Sequence, residues 1–476
     1  MHAPHPDGTF NDRQLNKLIH PYRHLNNTTN LVYLAIEYLS LAVVIGGTVA
    51  FCHNLSGMGL AWYAAIPVVA VAWFLIGALQ HRLAGLGHEA SHYILCRNRL
   101  LNELVSDIFC MFPLFSTTDQ YRQIHLGHHE YPNDWERDPE LINLGKTRMM
   151  DQFPMTRWQF IRNYGLRLLW PPTMFRYLWD NLYVTAMGRG VHPYMVDQTH
   201  VPMIAGIRLT TILGIGYIAV CLTTLGVLTH LGGPVSLAIA PIALWLSACG
   251  VIAALPKQWF FASRLKPVYS AKVTSMMRLG CVTLLDAALC WATYLTGTEW
   301  GIYFYLLWIM PLVTTFPYLM LLRDMFQHAN ADDGRLTNSR VAFPNPILRW
   351  AMFVYGQDLH LTHHLYPAVP HYRLQDLHQL LKTNSAEYAQ HVVECDGAFF
   401  NHTGRPTLLD CMYLPLHEAG RLGESGLRAI REETARNAAD KAQGQRAGAS
   451  QTISRMHADH TAMSAGSSSK NSTSTS

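Results

Sequence analysis

Charge is what this chain has least of. Asp, Glu, Lys and Arg make up 14% of its 476 residues, against about 25% in an average soluble protein. So little charge argues against an enzyme that faces water on every side. The nine cysteines, Cys52, Cys96, Cys110, Cys221, Cys249, Cys281, Cys290, Cys395 and Cys411, contain no Cys-x-x-Cys pair. That argues against a disulfide framework, zinc ribbons and thiolate iron–sulfur sites, and reads as small buried hydrophobes. No internal repeat is visible. The first thirty residues or so are polar and the first apolar block is too long for a signal core, so no cleavable signal is expected. A formal net charge of +4 calls for no acidic partner, and nucleic acid is not expected as one.

What is present is apolar sequence in blocks: 50% of residues are hydrophobic. Six blocks reach the length of about 20 residues that a bilayer requires. They are Leu31–Phe51, Leu60–Leu79, Leu209–Thr229, Pro234–Leu255, Cys281–Gly297 and Ile302–Leu322. The fifth is the shortest, and it carries Asp286. The links at His53–Met58, Thr229–Gly233 and Thr298–Gly301 contain no Lys or Arg, whereas every other connecting segment is basic. By the positive-inside rule this alternation predicts six spans with both termini in the cytoplasm. The expected fold class is all-α, a polytopic membrane protein with a cytoplasmic helical cap.

The long segment from His81 to Pro202 is too long for a plain connector. Its stretch Leu100–Phe115 is apolar but broken by Asn102, Glu103, Asp107 and Pro113, and reads as an interfacial or re-entrant helix. Residues 1–30 form a cytoplasmic N-terminal segment in this reading, 31–415 the membrane domain and 416–476 a tail. The tail is charged over Glu418–Ala447, then Ser/Thr-rich and disordered at its end.

Histidine is the anomaly, with 25 residues. His88 and His92 are spaced i, i+4. His125, His128 and His129 form H-x-x-H-H, and His360, His363 and His364 repeat it. Each spacing puts its imidazoles on one helical face. A lone H-x-x-x-H is more often a pair of surface histidines, but two H-x-x-H-H motifs in one chain are not so explained. Spans crossed in even numbers separate the clusters, so all three face the same side. Eight imidazoles exceed the roughly four ligands of one ion, which implies two metals. Imidazole suits iron, zinc, copper and nickel alike.

This order of histidine boxes resembles the membrane fatty acid desaturase superfamily. The flanks agree: His363-His364-Leu365-Tyr366-Pro367-Ala368-Val369-Pro370 is similar to the family's H-H-L-x-P-x-x-P, and Asp138-Pro139-Glu140 follows the second box. The resemblance covers about His81–Leu381. It implies a di-iron centre with O2 as co-substrate, held by His88, His92, His125, His128, His129, His360, His363 and His364. His328, in Asp324-Met325-Phe326-Gln327-His328, fits a further ligand position of the family. Glu89 and Asp324 are candidate supports for ligand imidazoles. The first box has three intervening residues where acyl-CoA Δ9 desaturases have four, so that subgroup is not assigned. The implied reaction is O2-dependent desaturation of a lipid acyl chain. The implied partners are that substrate and an external ferredoxin- or cytochrome-type electron donor. His5-Pro6-Asp7-Gly8 falls short of the cytochrome b5 haem motif, and a fused donor is not expected. The bacterial cytoplasmic membrane is the expected location, rather than the endoplasmic reticulum.

Two alternatives stay open on sequence. The same scaffold supports hydroxylation, ketolation or oxidative decarboxylation of an acyl chain, alkane or carotenoid. A metal transporter would instead need histidines or acids inside the spans, and only Asp286 and Glu37 lie there by this reading. Glu37 is expected to reach the membrane surface from a span end. His371 and His378 read as surface residues, and His81 as a neighbour of His88 outside the ligand set.

Overall fold

The computed structural model describes residues 13–145, 153–166, 169–181, 193–194, 201–260, 262–400 and 403–412. The expectations for residues 1–12 and for the 416–476 tail lie outside these. Among the described residues six helical segments are long and apolar enough to cross a membrane: Thr29–His53, Trp62–Ser91, Gly206–Leu231, Pro234–Ala254, Ala271–Thr296 and Trp300–His328. The chain is a helical membrane protein. The described β-structure is one pair of parallel three-residue strands, Val341–Phe343 and Glu394–Asp396.

Two spans run well past their apolar blocks. The second helix, Ala65–Ser91, continues twelve residues beyond Leu79 because its polar side chains find partners inside the protein. Gln80 Nε2 donates to the Trp308 carbonyl at 2.9 Å, and Arg82 Nε to Glu37 Oε1 at 2.8 Å. The fifth begins at Ala271 rather than Cys281, with the Ser270 side chain accepting from Val273 N–H. Lys272 and Arg278 interrupt its hydropathy, yet each binds backbone. Lys272 Nζ reaches the Ala253 carbonyl at 2.8 Å and Arg278 reaches the Phe115 carbonyl at 2.6 Å. Gly297, at φ +68°, ends this helix in the left-handed conformation.

The spans divide into two packed sets. The second packs against the first and against the closing helix of the sixth, Thr315–His328, while the third, fourth and fifth pack on one another. The last span is not one regular helix. It has a π-helical turn at Tyr305–Ile309 and a break at Thr314 before Thr315–His328 begins. Thr315 Oγ1 donates to the Trp73 carbonyl at 2.7 Å, which ties that break to the second span.

Several readings of single residues are corrected. Glu37 does not reach the surface: it is 1% exposed, bonded to Arg82 and, at 2.5 Å, to the Tyr355 hydroxyl. His371 and His378 are buried. His371 Nε2 lies 3.0 Å from Asn30 Oδ1, because the chain after Pro370 folds back onto the first span. His378 rides the apolar face of the Leu374–Asn384 helix with Leu374, Leu377 and Leu381, between Tyr388 Oη and Glu394 Oε1. Asp286, by contrast, meets a neighbouring helix: Cys221 Sγ on the third span lies 3.7 Å from its Oδ2.

Candidate metal centre

Four pieces of chain deliver histidines to one place. The second span carries His88 in its last turn and ends with His92 as its C-cap. The first box is therefore continuous with a span helix, not in the loop after it. The second box lies on the Thr118–Glu130 helix, whose start is fixed by two acceptors. Thr117 Oγ1 accepts from Gln120 N–H, and Asp107 Oδ1 accepts from Thr118 N–H at 2.7 Å. The preceding helical stretch Arg99–Leu114 meets it at 89°, where the Leu100–Phe115 segment was expected to be re-entrant or interfacial. The last span ends at His328. The third box occupies the short His360–Leu365 helix, which stops ahead of Pro367.

All nine histidines converge in two groups. His88, His92, His125, His129 and His363 form one, and His128, His328, His360 and His364 the other. Within each group the ligand nitrogens all lie within 4.8 Å of one another. The two H-x-x-H-H motifs are shared out reciprocally. His125 and His129 join the first group and His128 the second, whereas His360 and His364 join the second and His363 the first. Rings interleave where the groups meet: His129 stacks on His364 with centroids 4.2 Å apart.

The Nε2 spacings are those of a coordination shell. His125 to His92 is 2.9 Å, His129 to His125 3.0 Å and His363 to His129 3.1 Å. In the other group His328 to His360 is 2.8 Å, His364 to His360 3.1 Å and His128 to His328 3.2 Å. Ligands at right angles around an ion at about 2.1 Å are about 3 Å apart. Each neutral imidazole carries one N–H and one lone pair, so converging nitrogens cannot satisfy all their contacts as hydrogen bonds. Both ring nitrogens of His88, and Nδ1 of His125, His129, His360 and His364, are buried without a hydrogen-bond partner. This donor set fits metal ions.

Electrostatics favour neutral rings at most of these positions. Burial first, and then the charge that neighbouring imidazoles would carry, holds His92, His125, His129, His360 and His364 well below the ordinary histidine range. Burial and the charges of His128 and Arg323 hold His363 at about 3. His128 differs. Burial lowers it, but the Asp138 and Glu140 carboxylates outweigh burial and push it up to about 9.

The two proposed supports take different positions. Glu89 Oε2 accepts from the His371 N–H at 3.0 Å, while its Oε1 stays 3.9 Å from His88 Nδ1, too far for a hydrogen bond. Asp324 is bonded to the Arg323 guanidinium rather than to an imidazole. His81 also turns away, with Nδ1 on the Ala351 carbonyl at 3.1 Å and Nε2 facing Arg323.

Sequence reasoning passed over the groups that brace the boxes. Asp138 Oδ2 accepts from His128 Nδ1 at 2.9 Å, and the Asn338 carbonyl accepts from His328 Nδ1 at 3.1 Å. Arg122 binds Glu103 through two nitrogens, at 2.9 and 2.6 Å, and donates to the carbonyls of Ala90 and Ser91 between the first-box histidines. The only sequence signal for any of these was the Asp138-Pro139 flank. A buried ion pair with 18 residues between its partners has no local signature.

A family model for fatty acid desaturases matches residues 60–263 and 254–395. The dihydrorhizobitoxine desaturase of Bradyrhizobium elkanii is 28% identical over 177 residues, covering 36% of this chain and 45% of that protein. The sn-1 oleoyl-lipid 12-desaturase of Picosynechococcus sp. is 31% identical over 100 residues, 21% of this chain and 26% of that protein. The matched part is thus less than half the length of either relative.

Proposed function

The chain belongs to the fatty acid desaturase family, and from that premise we propose that it is an O2-dependent di-iron desaturase of a lipid acyl chain. The observation that carries this is the sorting of nine imidazoles into two groups with ligand spacing. His88, His92, His125, His129 and His363 would hold one iron, and His128, His328, His360 and His364 the other. Bound iron supplies the reduction of dioxygen and the oxidising strength that breaks an unactivated C–H bond.

The protein's own residues do the rest. Neutral imidazoles present lone pairs at most of these positions, and His128, held up by Asp138 and Glu140, would release a proton on binding a metal. The first box and His328 end two span helices that pack side by side, so an acyl chain lying along those helices meets the centre where they end. Electrons come from a separate ferredoxin- or cytochrome-type donor. The basic connecting segments support a centre and both termini in the cytoplasm, and the bacterial cytoplasmic membrane is the location we favour. The relatives' names give two different substrates, oleoyl-lipid and dihydrorhizobitoxine, so product analysis must decide the substrate.

The test is purified protein together with lipids of an expressing host. Iron near two per chain is expected, with products lighter by two hydrogens, and both are lost in His128→Ala and His363→Ala. Products that gain oxygen would assign hydroxylation instead. Unchanged product formation in the double variant would end the di-iron reading.

A further inference from the structure

Two nominated ligands differ from five others in having Nδ1 anchored. His128 Nδ1 bonds the Asp138 carboxylate and His328 Nδ1 bonds the Asn338 carbonyl. Both belong to the four-histidine group. Both anchors are in turn held by one residue. The Asn133 N–H donates to Asp138 Oδ2 at 2.9 Å, the same oxygen that His128 uses. The Asn133 side-chain amide donates to the carbonyl of Asn338 at 2.7 Å, the same oxygen that His328 uses, and to that of Asp332 at 2.7 Å. Bonds and the ligand contact of His128 with His328 together close a ring: Asn133, Asp138, His128, His328 and Asn338. His128 and His328 meet inside it at 3.2 Å.

Residue type fits the position. Asn133 has φ +62°, a left-handed conformation that Asn tolerates better than most side chains. Its two amide hydrogens match two carbonyls that no carboxylate or aliphatic group could satisfy. Among the described residues no such ring braces the other group: His88, His125 and His129 keep Nδ1 without a partner, as do His360 and His364 of the four-histidine group.

We infer that Asn133 is a positioning residue that sets the metal affinity of the four-histidine group while leaving the five-histidine group unaffected. It orients His128 and His328 through Asp138 and the Asn338 carbonyl, and touches neither metal nor substrate. The inference rests on the proposed two-metal reading. Losing an outer partner of a ligand costs about 10–100-fold in metal affinity.

The test is anaerobic titration of the purified full chain with ferrous iron. Asn133→Gly keeps the backbone conformation accessible and removes only the amide. The Asn133 N–H to Asp138 survives in this variant, so the loss falls on the Asn338 brace: one iron should bind as in the wild type and the second up to about 10-fold more weakly. Added to His128→Ala, it should change nothing further; added to His88→Ala, it should weaken the binding that remains. Should the glycine variant not fold, the isosteric Asn133→Asp, which turns two donors into an acceptor facing two carbonyls, should show the same selective loss. Wild-type affinity at both sites, or equal weakening at both, would overturn the role of Asn133. A wild-type chain that takes up no pair of irons would instead overturn the two-metal reading.

Discussion

At 2% exposure, the Arg122 guanidinium has no water to replace a lost partner. Glu103, 1% exposed, neutralises it, and the Tyr93 ring lies under it, 4.0 Å from centroid to Cζ. Its remaining N–H groups hold the carbonyls of Ala90 and Ser91, so one side chain joins the first box to the helix of the second. Breaking a buried pair by removing one partner costs about 3–5 kcal/mol, whereas replacing both with apolar groups of similar volume is far milder. Arg122→Met alone should therefore destabilise the detergent-solubilised protein by about that much. Arg122→Met with Glu103→Leu should recover a large part of it in chemical unfolding. Iron content should stay low in both, since neither restores the bonds to Ala90 and Ser91. Additive losses in the double variant would show that the pair is not what the arginine stabilises.

Helices place the histidines, and one close approach governs two of the four elements involved. Gly77 on the second span faces the start of the Thr315–His328 helix. A Cβ there would lie 2.7 Å from Thr315 Cβ and 3.0 Å from Phe316 N. Small residues let membrane helices pack closely, and this contact sets how the helix carrying His88 in its last turn lies beside the one ending at His328. Gly77→Val should force the helices apart and lower both iron content and thermal stability. Thr315→Gly should restore part of the loss, and only part, because the backbone of Phe316 remains. The loss is measured as iron per chain alongside the melting temperature in detergent. This level of the structure was only half legible in the sequence. Apolar blocks locate the spans because hydropathy sums over about 20 residues. They end the second span near Leu79 and start the fifth at Cys281, since the partners of Gln80, Arg82, Lys272 and Arg278 are distant in sequence. The H-x-x-H-H spacing likewise gives a shared face. It does not give the division of His125, His128 and His129 between two groups, which depends on how the Thr118–Glu130 and His360–Leu365 helices approach each other.

For the whole molecule, convergence of the histidines constrains the path of the chain. His88 and His328 end two different spans, yet their groups interleave, so those ends lie on one side of the membrane. The second and third boxes must then be separated by an even number of crossings, which the third to sixth spans provide. The Arg99–Leu114 and Thr118–Glu130 pair could pass for a seventh span by composition. It cannot be one, because a crossing there would separate His125 from His88. Charge argues for cytoplasmic termini: the links around residues 54–59 and 297–299 lack Lys and Arg, while both ends of the membrane domain are basic. A fluorescent protein that matures only in the cytoplasm should light up when fused after Ser476. Alkaline phosphatase, active only outside, should work when inserted at Gly57 or at Thr298. Phosphatase activity at the C-terminus would invert the orientation. Activity at the C-terminus and at Gly57 in the same set of fusions would put an even number of crossings between them, which would separate the first box from the third and overturn the six-span path.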